Sequence, residues 1–184
     1  MATTDPAVHQ GLPPVWRRDA LILLLGSFPG TASLAAQAYY AHPRNQFWPI
    51  MGQLTGEPLP ALPYEQRLHR LREHRLALWD TVGHCQRQGS LDSAIRHALT
   101  NEFGPLLAQL PSLKLVAFNG QHAGRQRRFF DELHHFAFYE LLNEACLRNH
   151  WKSIPKLLAQ GDYKAVVETL LLPKGLGYGS KPKG

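Results

Sequence analysis

The sequence predicts an α/β fold in which short parallel strands alternate with helices over the first two thirds of the chain. Three apolar runs carry that prediction. Ala20-Leu21-Ile22-Leu23-Leu24-Leu25 is uninterrupted and closed by Gly26, Leu76-Ala77-Leu78-Trp79-Asp80-Thr81-Val82 is the second, and Leu113-Lys114-Leu115-Val116-Ala117-Phe118 ends at Asn119-Gly120. A short apolar run bounded by turn residues fits a strand covered on both faces, as in a parallel sheet. The segments between them read as helices. Residues 31–40 follow the turn Gly26-Ser27-Phe28-Pro29-Gly30, with Thr31 or Ser33 as the cap. Residues 46–54, 64–74, 90–99 and 102–110 have helical composition, and 90–99 opens on Ser90 with Asp92 in its first turn. Alternation of this kind implies βαβ crossovers and a layered fold. Ligands in such folds sit beyond the carboxyl ends of the strands, which singles out residues 26–30, 80–90 and 119–120.

The ends of the chain read differently. Residues 1–18 are punctuated by Pro and Gly and are expected to form a loose arm, with Trp16-Arg17-Arg18 docking at its end. Residues 19–125 form the α/β domain. Residues 126–184 read as an atypical, helical and basic segment packed on the domain or trailing from it. It holds the basic run Arg125-Gln126-Arg127-Arg128, an aromatic and His-rich stretch over 129–149, a helix over 162–172 and a Gly- and Lys-rich close. No fourth strand-like run followed by a polar loop is found there.

Composition bounds the function classes. Of 184 residues 44% are hydrophobic and 18% charged, which excludes a wholly disordered chain. Twenty Lys and Arg against 14 Asp and Glu give a net charge of +6, which suits a polyanionic partner. Two cysteines, Cys85 and Cys146, are too few for a disulfide scaffold or a four-cysteine metal or iron–sulfur site. No basic start followed by an apolar run opens the sequence, and the run at 20–25 is far short of a membrane span. A soluble, cytoplasmic protein is expected.

The densest cluster is Tyr39-Tyr40-Ala41-His42-Pro43-Arg44-Asn45-Gln46-Phe47-Trp48. Aromatics stack on bases, Arg grips phosphate, and Asn hydrogen-bonds to purine edges or orients a water. A plain core patch explains Phe47 and Trp48, but not polar Arg44 and Asn45 crowded among aromatics. The turn at 26–30 offers small residues and helix-start amides to an anion or a carbonyl, and is equally well a structural turn. Elsewhere the signals are weaker. His84 and Cys85 are neighbours in sequence, and such pairs rarely face each other. Asp80, at a strand end, is read as lining a pocket or capping a turn. Asp131, Glu132, His134 and His135 lack a recognised ligand spacing and read as a polar helix face.

Taken together, these motifs resemble the uracil-DNA glycosylase superfamily and, within it, the hypoxanthine-DNA glycosylase family. The resemblance rests on residues 26–30, Ser33-Leu34, the string 39–48, Leu78-Trp79-Asp80, Arg87 with Gly89-Ser90-Leu91-Asp92-Ser93, and Phe118-Asn119-Gly120. It spans residues 12–125. It implies a three-layer α/β/α fold around a mostly parallel four-stranded sheet, and hydrolytic removal of a deaminated base from double-stranded DNA by a monomer using no metal or cofactor. Asn45 takes the catalytic role, because Phe28 stands where other branches place an acid or amide and stacks on the flipped base instead. Gly26, Ser27, Phe28, Pro29, His42, Arg44 and Asn119 would bind substrate, with Asn119 reading the base edge. Tyr39, Tyr40, Arg125 and Arg128 would contact DNA. The family's Ser/Pro-rich minor-groove loop has no counterpart after residue 125, where Ser153 and Ser180 stand in the only Ser-Pro candidates. Two alternatives therefore stay open: a uracil-excising enzyme, and an impaired DNA-binding relative.

Overall fold

The computed structural model describes residues 8–126, 130 and 137–141. Four strands form a parallel sheet in the order β3-β2-β6-β7: β2 (Ile22–Gly26), β3 (Leu76–Asp80), β6 (Leu115–Asn119) and β7 (Ala137–Leu141). The central strand β2 is buried at every position because both faces are covered. Alternate residues divide between two cores, as the two-residue repeat of a strand requires. Ile22, Leu24, Leu78 and Leu115 pack under helices α2 (Phe47–Thr55) and α3 (Tyr64–Glu73), with Trp48 and Leu71 among the buried residues. Leu23, Leu25, Val116 and Phe118 pack on the opposite face with Phe103 and Leu106 of α4 (Phe103–Leu107), Ala123 of α5 (Gln121–Gly124) and Phe130. The result is the three-layer α/β/α arrangement. Phe118, 1% exposed and edge-on to Phe130, is central to the second core. Its replacement by Ala is expected to cost about 3–5 kcal/mol in urea unfolding.

A smaller antiparallel sheet, β1-β4-β5, joins β1 (Val8–Gln10), β4 (Val82–Gln86) and β5 (Arg96–Thr100). It corrects three expectations. The arm is tied down from Val8 onward by pairing with β4, by buried Leu12 and by a two-bond bridge between Val15 and Leu78. The run at 76–82 is one strand only to Asp80; beyond Thr81 the chain leaves the parallel sheet for the small one. Residues 90–99 are not a helix. A single 3-10 turn, Asp92–Ala94, precedes β5, whose five residues are all exposed. Pairing with β4 overrides the helix-friendly Arg, Ala and Leu of that stretch.

The sheet has the four strands that the resemblance implies, and the fourth lies after residue 125, where no strand-like run was legible in the sequence. β7 pairs with β6 from Leu115↔Ala137 to Asn119↔Leu141, so the β6 edge is covered. Its sequence hides it: Glu140 interrupts the apolar run, and Leu142-Asn143-Glu144 offers one turn-forming residue and no Gly or Pro to close it. The expected helix at 162–172, both Ser-Pro candidates, the His134-His135 group, Cys146 and Arg128 lie outside the described residues. Among the described residues no helix is long and apolar enough to cross a membrane.

Candidate active site

Register brings three strand ends together. Gly26 pairs with Asp80, and Asn119 ends the strand on the other side of β2. Beyond them lies a pocket of about 260 Å³, whose wall includes the turn 26–30, Tyr40, His42, Asn45, Asp80 and Asn119. This is the carboxyl edge of the sheet, where the alternation of strands and helices places a ligand.

The turn after β2 is held rigidly. Thr81 N–H donates to the Gly26 carbonyl at 2.8 Å and Val82 N–H to the Ser27 carbonyl at 3.0 Å. The Ser27 hydroxyl donates to the Asp92 carboxylate, 2.8 Å from each oxygen. Buried Arg87 donates to the Pro29 carbonyl, and its guanidinium carbon lies 5.0 Å from the centre of the Phe28 ring. Phe28 is itself 6% exposed, so one face of the ring is already taken by a cation. The next helix, α1 (Thr31–Ala36), is capped by neither Thr31 nor Ser33; the Thr31 amide donates to Ser90 Oγ, which is 2.9 Å away and comes from the far side of the chain. Ser33 Oγ instead accepts the Ala41 amide at 3.1 Å.

The string 39–48 splits into core and pocket. Tyr39 is buried, and its hydroxyl reaches the Leu12 and Pro13 carbonyls at 3.2 and 3.1 Å. Its expected DNA contact is therefore corrected in place: Tyr39 is buried and borders the pocket instead of standing on the outer surface. Tyr40 has φ 53°, which turns the chain so that its ring stacks on Phe47 at 3.9 Å and its hydroxyl accepts Asn119 Nδ2 at 3.0 Å. It too belongs to the pocket wall, and burial pushes its phenol well above the ordinary range. The exposed turn His42-Pro43-Arg44-Asn45 closes by Asn45 N–H to the His42 carbonyl at 2.8 Å. The Arg44 amide donates to His42 Nδ1 at 3.2 Å, so that nitrogen is an acceptor and the ring of a neutral His42 carries its proton on Nε2. Asn45 Oδ1 accepts the Phe47 amide at 2.8 Å, which fixes the carboxamide at the start of α2. Arg44 is exposed and lies beside the pocket without lining it; Arg125 is exposed beyond α5.

Asp80 carried little weight in the sequence and is prominent here. It is 3% exposed, and its Oδ2 has no hydrogen-bond partner among the described residues. Burial above all, then repulsion from Asp92, pushes its acidity constant up to about 7, while Arg87 opposes the rise. Gly26 makes room for it: a Cβ there would lie 2.3 Å from Asp80 Oδ1 and 2.9 Å from the Tyr40 hydroxyl. An unfolded carboxyl ionises near 3.8 and the folded one near 7, so the folded state gains nothing from ionisation until the pH is neutral. Stability from this group is full below the lower value and is lost as pH rises to the upper one. Asp80→Asn is therefore expected to stabilise the fold by about 2–4 kcal/mol above pH 7 and by little in acid, read from unfolding at the two pH values.

Against known proteins, the chain is 41% identical over 115 residues to a hypoxanthine DNA glycosylase of Methanosarcina barkeri, covering 62% of this chain and 73% of that one. It is 39% identical over 117 residues to the hypoxanthine DNA glycosylase of Methanosarcina acetivorans, covering 64% and 74%. The chain belongs to the hypoxanthine DNA glycosylase family. The solution NMR structure of a candidate uracil DNA glycosylase from Methanosarcina acetivorans superposes with a TM-score of 0.68 at 32% identity, covering 83% of this chain and 96% of that one. A profile of a domain of unknown function (DUF4301) matches residues 100–184, which include the segment without a family resemblance.

Within this glycosylase family pocket, then, the structure gathers Gly26, Ser27, Phe28, Pro29, His42, Asn45 and Asn119, together with Tyr40. Tyr39, buried in the core, also borders the pocket, while Arg44 and Arg125 are on the surface. Sequence reasoning read Ser90 and Asp92 as a helix start and Arg87 only as part of a motif, and missed that all three brace the turn after β2; the signal was their spacing within one polar loop after a strand end.

Proposed function

We propose that this chain removes hypoxanthine from double-stranded DNA by hydrolysing its N-glycosidic bond, with Asn45 orienting the attacking water. Family membership supports the reaction, and one observation supports the assignment of roles: Asn45 and Asn119 line the same pocket at the end of the parallel sheet. The target nucleotide must leave the duplex, at a cost of roughly a few kcal/mol, least for a mispaired base. Water adds at the sugar carbon as the base departs with the bonding electrons and takes up a proton. Positive charge grows on the sugar, so the water needs placement more than deprotonation. Asn45 suits that task, because its oxygen is fixed by the Phe47 amide and keeps a second lone pair to accept a proton of the water. Asn119 uses one amide hydrogen on Tyr40 and has a second for the base carbonyl. Ser27 and Phe28 line the wall, and their amides serve in this reading as donors to the departing oxygen. Phe28 supplies an apolar surface for the base, His42 shapes the entrance, and Arg44, Arg125 and Arg128 hold phosphates. The reading has the protein acting as a monomer without metal or cofactor.

Alkaline cleavage of labelled duplexes tests this. Strand scission at deoxyinosine well above that at deoxyuridine supports the reading. The reverse order would favour uracil, the base named for the solution-structure relative. Binding with no scission of either would make the chain an impaired relative.

A further inference from the structure

We propose that Asp80 is the residue that tells hypoxanthine from adenine, its carboxylate accepting the ring N1–H of hypoxanthine while Asn119 donates to the neighbouring carbonyl. The inference deepens the reading above and rests on it. Three observations carry it. Asp80 pairs with Gly26 at the end of β2, Asn119 ends the strand on the other side of β2, and both line the pocket. Asp80 Oδ2 is buried without a partner among the described residues, although buried acceptors are almost always satisfied. Nothing larger than the hydrogen of Gly26 separates the carboxyl from the end of β2, since a Cβ there would collide with Oδ1.

The chemistry of deamination matches this pair. Adenine presents a bare ring nitrogen beside an amino group, an acceptor beside a donor. Hypoxanthine presents N1–H beside a carbonyl, a donor beside an acceptor. A carboxylate next to an amide donor complements the second pattern and sets lone pair against lone pair with the first. The carboxylate is desolvated by the fold already, so a base that satisfies it gains a hydrogen bond and one that does not leaves it orphaned. The groups facing it are Asp92 and Arg87 on the small-sheet side and the Tyr40 phenol beside Gly26; Asn101 holds only its main-chain carbonyl. With ionisation near 7, the reading form is the one that grows as pH rises through neutrality.

The test compares duplexes carrying deoxyinosine or N1-methyldeoxyinosine, cleaved by the full chain, Asp80→Ala and Asp80→Asn. The parent is expected to prefer the unmethylated base by about 100-fold or more in kcat/KM. Asp80→Ala should lose about 100-fold on deoxyinosine and shrink that preference at least tenfold. Asp80→Asn, whose amide oxygen still accepts N1–H, should keep more activity and lose the rise of rate with pH through neutrality. An unchanged preference in Asp80→Ala overturns the proposal. So does a parent rate that falls as pH rises through 7, which would make the group a proton donor, and this reading needs no variant to fold. A parent that cleaves neither duplex sinks the glycosylase reading itself, an outcome distinct from an active parent indifferent to N1 methylation.

Discussion

An Asn45→Ala protein is expected to release base from a deoxyinosine duplex about 10²–10³-fold more slowly than the parent, while binding that duplex with similar affinity. The loss falls on kcat because Asn45 places the water, and phosphate contacts elsewhere hold the DNA. The substitution also removes the acceptor for the Phe47 amide, the first of α2, at a cost of about 1 kcal/mol in stability. Asn45→Asp separates the two effects. A carboxylate oxygen still accepts the Phe47 amide, so unfolding should return to near the parent value. It can also accept a water proton, so activity should exceed that of Asn45→Ala. Full activity in a folded Asn45→Ala protein would remove Asn45 from the mechanism.

Gly26→Ala should damage fold and site together. The added methyl would lie 2.3 Å from Asp80 Oδ1 and 2.9 Å from the Tyr40 hydroxyl, at the end of β2 where Gly26 pairs with Asp80. Neither neighbour has room to retreat: Asp80 is 3% exposed, and Tyr40 is stacked on Phe47 and bonded to Asn119. Overpacking of this kind costs about 1–3 kcal/mol, occasionally more, and a misplacement at the site costs about 10²-fold in rate. Chemical denaturation and single-turnover cleavage, run side by side, read both. Gly56→Ala serves as the contrast, since a Cβ there meets nothing within 4 Å, although its φ of 72° strains the backbone.

Much of the parallel sheet was legible because burial on both faces writes itself as an uninterrupted apolar run, as in Ile22 to Leu25. The elements that were misread carry no such mark. β5 is exposed at every residue, so no buried face imposes alternation on its sequence. β7 is interrupted by a glutamate and followed by Asn143 alone, with no Gly or Pro to mark its end. The site residues were largely visible because they cluster at strand ends and beside a proline-containing turn. Tyr39 and Tyr40 show the limit. They are adjacent and identical, and only the left-handed backbone at Tyr40 sends one ring under the N-terminal segment and the other into the pocket. The importance of Asp80 depends on what faces Gly26, which is a fact of register and not of spacing.

The most direct measurement identifies the base set free. Duplexes carrying hypoxanthine or uracil at one position are incubated with the protein, and the small-molecule fraction is read by mass spectrometry. Free hypoxanthine, released catalytically and lost with Asn45→Ala, is the predicted result. Release of uracil alone, or of no base by a folded protein that binds the duplex, would contradict it.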